Sequence, residues 1–155
     1  MRVAFAADHA GWPLRWRVIA EITTLGFEPQ DCGPPELVPG DDYPDRAEAV
    51  ARAVASGAAD RGILVCGSGV GAAIAATKVQ GIRSCMCHDS FSARQGVEDD
   101  DMNVLALGAR VIGEELAAVL IREFLSARFS GAERHRRRLE KIAAIERGEV
   151  SLRTG

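Results

Sequence analysis

Residues 61–78, RGILVCGSGVGAAIAATK, decide how this chain folds. The apolar run 63–65 ends at Cys66 and breaks into Gly67, Ser68, Gly69, Val70 and Gly71, after which 72–78 has the composition of a helix. Strand, glycine loop and helix in that order put Cys66 at a strand's carboxyl end. Short continuous apolar runs suit strands covered on both faces, as in parallel sheets, and an Ala-rich helix packs closely on such a sheet. In open α/β sheets the carboxyl edge is where ligands bind, and glycines there let backbone N–H groups approach an anion at the start of the next helix. The same positive helix end stabilises a thiolate. Spacing alone leaves two readings of Cys66, a buried structural cysteine and a reactive thiol beside oxyanion donors, because plain nucleotide-binding turns also use G-x-G-x-G.

Upstream, residues 2–7 read as a first strand, and Asp8-His9-Ala10-Gly11 as a turn at its carboxyl end, on the same sheet edge as Cys66. Pro13 suits the first turn of a helix whose apolar positions Leu14, Val18, Ile19 and Ile22 recur at helical spacing up to Gly26. A plain alternative is that Asp8 caps this helix and His9 is merely exposed. Residues 27–31 form a short second strand, followed by a long Pro-, Gly- and Asp-rich loop to Tyr43; loops of that length in compact domains are often functional. Residues 45–55 are helical in composition, 83–87 read as a fourth strand, a short helix starts at Ser90, and 104–106 is a fifth strand. Five strands alternating with helices imply an α/β fold: one domain over 1–155, with a doubly wound, Rossmann-like parallel five-stranded sheet and helices on both faces.

Downstream, 113–126 is an amphipathic helix, and 132–147 a strongly charged one whose apolar positions Leu139, Ile142, Ala143 and Ile145 form a narrow stripe. Such a stripe suits a helix laid across a neighbour, a partner subunit included. Arg134 and Arg138, four apart, share one face. Paired guanidinium groups suit phosphate, which Arg holds through two oxygens at once; a solvated basic face is the other reading.

Composition narrows the classes further. With 47% hydrophobic and 26% charged residues and a net charge of −3, the chain lacks the basic excess of a general nucleic-acid binder. No apolar run approaches the ~20 residues that span a bilayer, and Asp8 and His9 interrupt the first apolar stretch, so no membrane partner and a cytoplasmic location are expected. Cys32, Cys66, Cys85 and Cys87 are then expected to be reduced, with Cys85 and Cys87 packing residues.

With these pieces placed, the chain resembles the type B ribose-5-phosphate isomerase family, which also contains galactose-6-phosphate and allose-6-phosphate isomerases. The matches are Asp8-His9-Ala10-Gly11, Asp42-Tyr43-Pro44, the run from Cys66 to Gly71, the run from Asn103 to Arg110, and a tail with Arg134-His135, Arg138-Leu139 and Ala144-Ile145-Glu146. The resemblance implies a metal-free aldose–ketose isomerase acting on a sugar phosphate, chiefly ribose 5-phosphate and ribulose 5-phosphate. No cofactor is needed, since the proton shift involves no net redox change. By the same resemblance Cys66 is the base that shuttles a proton through an enediolate, and the backbone amides of Gly67, Gly69, Val70 and Gly71 hold the oxyanion. A second branch of the family carries a glutamate at the position of Ala72, so Cys66 with Ala72 looks like the cysteine branch. Ser68 would support proton transfer, Asp8 contact sugar hydroxyls and Asn103 bind the enediolate or hydroxyl end. His9, Arg110, Arg134 and Arg138 would contact the phosphate, some across a subunit boundary, because the family is dimeric or a dimer of dimers with shared sites.

One position departs from that pattern. Relatives commonly carry E-H-D-D-M-N before the fifth strand, with a histidine that helps open the sugar ring, and Asp99 stands in its place. A carboxylate ionised at neutral pH accepts a proton and does not readily donate one. Three explanations follow: Asp99 acts as the base half of ring opening, the substrate opens without help or is already open, or the chain serves another sugar, phosphorylated or free. A different class, a non-catalytic sugar-phosphate-binding module, would use the same glycine loop but has no need of a thiol at the strand end.

Overall fold

The computed structural model describes residues 1–149. Five strands, β1 (Arg2–Ala7), β2 (Glu28–Asp31), β3 (Arg61–Cys66), β4 (Ser84–Met86) and β5 (Val104–Gly108), form one all-parallel sheet in the order β2-β1-β3-β5-β4. Six α-helices accompany it: α1 (Arg15–Thr24), α2 (Tyr43–Ala55), α3 (Val70–Ala76), α4 (Ser90–Asp100), α5 (Glu114–Ser126) and α6 (Glu133–Glu146). This is the expected doubly wound α/β fold. The strand order reverses between β1 and β3, which opens a crevice beyond their carboxyl ends.

Alternation along the strands divides the core in two. Val3, Phe5, Ile63, Val65, Leu105 and Leu107 face α1, α4 and α5, with Val18, Ile22, Leu120 and Phe124 from the helices. Each fully buried Leu, Ile or Phe contributes about 1.5–3 kcal/mol relative to exposure. On the other face Ala4, Ala6, Leu64, Cys66 and Ala106 meet Ala47 and Ala51 of α2 and Ala72, Ala73 and Ala76 of α3. The small side chains on both surfaces let α2 and α3 lie close to the sheet. This keeps the end of β3 near the loop that enters α2.

Several boundaries differ from those read from composition. Helix α3 starts at Val70, two residues early, and stops at Ala76, because the glycines that resemble a loop already hold helical backbone from position 70. Helix α2 begins at Tyr43 with Pro44 in its first turn, where proline lacks only an N–H that has no helical partner anyway. Strand β4 is three residues long, and β5 runs on to Gly108. Helix α6 packs on α4 of its own chain, yet Ile142 and Ile145 remain 45% and 74% exposed.

Candidate active site

The crevice is built by three turns stitched together by backbone hydrogen bonds. The Asp8 N–H donates to the Val65 carbonyl (3.1 Å), Ala109 N–H to the Cys66 carbonyl (2.9 Å) and Arg110 N–H to the Gly67 carbonyl (3.0 Å). The turns after β1, β3 and β5 therefore form one rim. Asp8 is buried, and its Oδ1 accepts the Gly11 N–H at 2.7 Å. It holds the turn itself, since the following 3₁₀ turn has no side-chain cap.

Cys66 is 4% exposed, and its Sγ accepts the Gly69 N–H at 3.1 Å. Gly69 makes this contact possible: its φ of 83° is left-handed, a conformation that costs other residues about 1–2 kcal/mol, and it turns the amide back onto the sulfur. Ser68 is exposed, and its Oγ accepts the Val70 N–H at 3.3 Å. With α3 only seven residues long, the positive potential near Cys66 comes from individual loop N–H groups, that of Gly69 first, more than from a long summed dipole.

Gly71 has a different part. A Cβ there would lie 2.6 Å from Tyr43 Cζ, so the missing side chain lets the Tyr43 ring rest on the first turn of α3 and wall the crevice. On the opposite wall Arg110 lies over Gly67, its Cζ 3.6 Å from where a Cβ would stand. Between these walls is a cavity of about 320 Å³ lined by Asp8, His9, Cys66, Ser68 and Arg110 together with Gly67, Gly71 and Tyr43.

His9 is held by a residue that sequence reasoning did not single out. Asp41, near the end of the long loop, accepts the His9 N–H at 2.7 Å, and its Oδ1 and carbonyl lie 3.1 and 3.2 Å from His9 Nδ1. Two acceptors at Nδ1 place the proton there and leave Nε2 free. Burial pushes the Asp41 carboxyl up, but the His9 N–H, the Arg46 guanidinium 2.9 Å away and the His9 ring together hold it below its usual value. A second unanticipated group is His88, whose Nε2 accepts at 3.0 Å the N–H of Gly108, the register partner of Cys66. Burial lowers its pKa, which favours the neutral ring that can accept. The length of the loop and the position of His88 just after a strand were the available signals.

Asp99, Asn103, Arg134 and Arg138 are not in this cavity. Asn103 precedes β5, so in a parallel sheet it sits at the amino edge, opposite Cys66. Both ends of its amide are engaged: Oδ1 accepts the Arg83 N–H (2.8 Å), and Nδ2 donates to the Gly81 carbonyl (2.9 Å). Asp99 lies at the end of α4, where it accepts from Gln95 Nε2 at 2.7 Å and lies 3.3 Å from His135 Nδ1 of α6. Arg134 and Arg138 are exposed on that same helix. A single chain thus splits the expected site residues between two edges of the sheet, because α4 carries the chain from the carboxyl edge back to the amino edge before β5.

The model of the ribose/galactose isomerase family matches residues 3–142. The chain belongs to this family. Ribose-5-phosphate isomerase B of Escherichia coli (strain K12) is 43% identical over 145 residues, which cover 94% of this chain and 96% of that one. The structure of the Trypanosoma brucei type B ribose 5-phosphate isomerase superposes with a TM-score of 0.90 at 45% identity, covering 93% of this chain and 97% of that one. That of ribose-5-phosphate isomerase B from Mycoplasma genitalium with bound ribulose-5-phosphate gives 0.88 at 35% identity, covering 94% and 96%. Matches of this length make the isomerase-family scaffold a property of nearly the whole chain, with the Asp8 turn, the glycine loop and the first part of α6 inside the span 3–142. Among the described residues no helix is long and apolar enough to cross a membrane.

Proposed function

We propose that this chain is a single-domain, cytoplasmic aldose–ketose isomerase that interconverts ribose 5-phosphate and ribulose 5-phosphate, with Cys66 as the base. The observation that carries this reading is the buried Cys66 sulfur facing the cavity with the Gly69 N–H 3.1 Å away. The thiolate takes the proton from C2 of the open-chain aldose. The C–H electron pair forms the C1=C2 bond of an enediolate, and O1 gains negative charge and accepts hydrogen bonds donated by the N–H groups of residues 67–71. Return of the proton from Sγ to C1, with loss of the O2 proton, gives the ketose. Ser68 relays the proton between O1 and O2, Asp8 binds sugar hydroxyls, and His9 and Arg110 lie on the phosphate side.

The other half of the site comes from a second copy of the chain. In this homodimer, or dimer of dimers, the amino-edge cluster of one subunit faces the Cys66 cavity of its partner, which adds Arg134 and Arg138 to the phosphate side and Asp99 to the sugar side. The exposed Ile142 and Ile145 of α6 are the apolar surface this contact would cover. Asn103, with both amide groups committed to the loop before β4, supports that edge and does not bind the enediolate. Asp99, held by donors on α4 and α6, accepts protons in this arrangement, so turnover of cyclic ribose 5-phosphate is slow relative to the open-chain ketose.

Proton NMR in D₂O tests the proposal. Deuterium entering C1 and C2, with conversion from both ribose 5-phosphate and ribulose 5-phosphate, is the expected result. Exchange from the ketose alone would locate a block at ring opening. No exchange from either would overturn the substrate assignment and point to another phosphorylated or free aldose.

A further inference from the structure

Among the described residues, His135 is the one histidine shielded almost completely from solvent, at 2% exposed, and no step above uses it. It sits between two residues assigned to the reaction. Its Nε2 lies 2.9 Å from Arg134 Nε, its Nδ1 lies 2.8 Å from Ser130 Oγ, and Asp99 Oδ1 is 3.3 Å from the same Nδ1.

The chemistry of these partners dictates the proton's place. A guanidinium N–H can only donate, so Nε2 must be the bare nitrogen and Nδ1 must carry the hydrogen. That hydrogen points to an oxygen acceptor, Ser130 Oγ, with the Asp99 carboxylate beside it. Ser130 is itself fixed, since its N–H donates to the Glu98 carbonyl of α4 at 2.9 Å. The imidazole therefore couples α4, the 127–132 connection and the first turn of α6 through one ring.

For Arg134 the consequence is orientation. The side chain is long, exposed and has four rotatable bonds whose freedom it would lose on gripping an anion. Fixing Nε on a buried imidazole removes much of that freedom beforehand and leaves the two terminal nitrogens for bidentate contact with a phosphate. We propose that His135 is a positioning residue: as the Nδ1–H tautomer it holds the Arg134 guanidinium in phosphate-binding geometry. It touches no reacting atom. The inference rests on the phosphosugar reading above, with Arg134 completing the partner's phosphate site.

Replacement by Asn or Gln separates positioning from packing, since both keep a polar group but only Gln reaches far enough to offer Arg134 an acceptor. With ribulose 5-phosphate, His135→Asn is expected to raise KM about tenfold while kcat stays within about twofold, and His135→Gln to recover most of that loss. In an Arg134→Ala background, His135→Asn is expected to add nothing further, because its effect passes through a group already removed. Equal KM values for the Asn and Gln variants, or a full additional KM increase in the Arg134→Ala background, would overturn the proposal. So would a lowered melting temperature with KM unchanged. Phosphorus-31 NMR titration with inorganic phosphate keeps this inference separate from the reaction itself. If the wild-type protein isomerises neither sugar phosphate, the proposed reaction fails, yet weaker phosphate binding in His135→Asn, rescued in His135→Gln, still upholds the positioning role. Phosphate affinity equal in all three proteins would remove it.

Discussion

The two edges of the sheet are built by different means. At the carboxyl edge, Asp8, Cys66 and the glycine loop are held by backbone hydrogen bonds between adjoining turns, and the thiol and its donor lie within three residues of each other. At the amino edge, Asp99, His135 and Arg134 are joined through side chains on two helices and a connecting loop. The first edge carries the proposed base and oxyanion donors but only part of the proposed phosphate site; the second carries the paired arginines Arg134 and Arg138. In the proposed reaction neither edge of one chain supplies the full set of groups, and that is why the proposal unites the two edges through a second subunit.

The largest effect expected is at the carboxyl edge. Cys66→Ala should lower kcat by about 10³-fold, within the range for loss of a general base, while melting shifts little because a small side chain already suits the α3 face. Full activity in that variant would sink the thiolate mechanism. Mixing subunits then tests the division between edges. Cys66→Ala and Arg134→Ala/Arg138→Ala proteins, each nearly inactive alone, should regain about a quarter of wild-type activity after co-refolding, since half the dimers are mixed and each has one intact site. Recovery of nothing would mean that both edges serve the same chain.

Smaller changes sharpen the picture within each edge. Gly69→Ala should cost about 1–2 kcal/mol of stability by denaturant titration and slow turnover, because a strained left-handed alanine no longer aims its N–H at Sγ. At the amino edge, Asp99→His should raise kcat/KM for ribose 5-phosphate several-fold if ring opening is slow; no gain would count against that defect. The weakest effect is in pH dependence. His88 has a folded pKa below its unfolded value, so the unfolded chain binds more protons as pH falls and stability declines below about pH 6.5, whereas it is fully present above. Melting temperatures from pH 5 to 8 should show this slope, and His88→Gln should flatten it.

Much of the carboxyl edge was legible from residue order. An apolar run ending in Cys66 and a run of glycines specify a strand end and a tight turn by local rules, and the Asp8 turn follows its own strand in the same way. What residue order obscures there is boundaries, as at Val70 and Tyr43, because glycine and proline have the composition of loop although the first helical turn tolerates both. Asp41 and His88 carry only weak local signals, a long loop and a place just after a strand, because their partners, His9 and Gly108, are 32 and 20 residues away. The resemblance implies one site for Asp99, Asn103 and Cys66; within a single chain the traverse of α4 separates the first two from the third.

By itself the sequence determined the alternation of strands and helices, the doubly wound class, the thiol at a strand end and the family, since each follows from short-range periodicity or from motifs in order. Tertiary structure decided which groups share an edge, which nitrogen of His135 carries the proton, and that Asn103 is consumed in holding a loop. These depend on hydrogen bonds between residues distant in the chain, and spacing along a sequence does not encode the direction in which a donor or acceptor points.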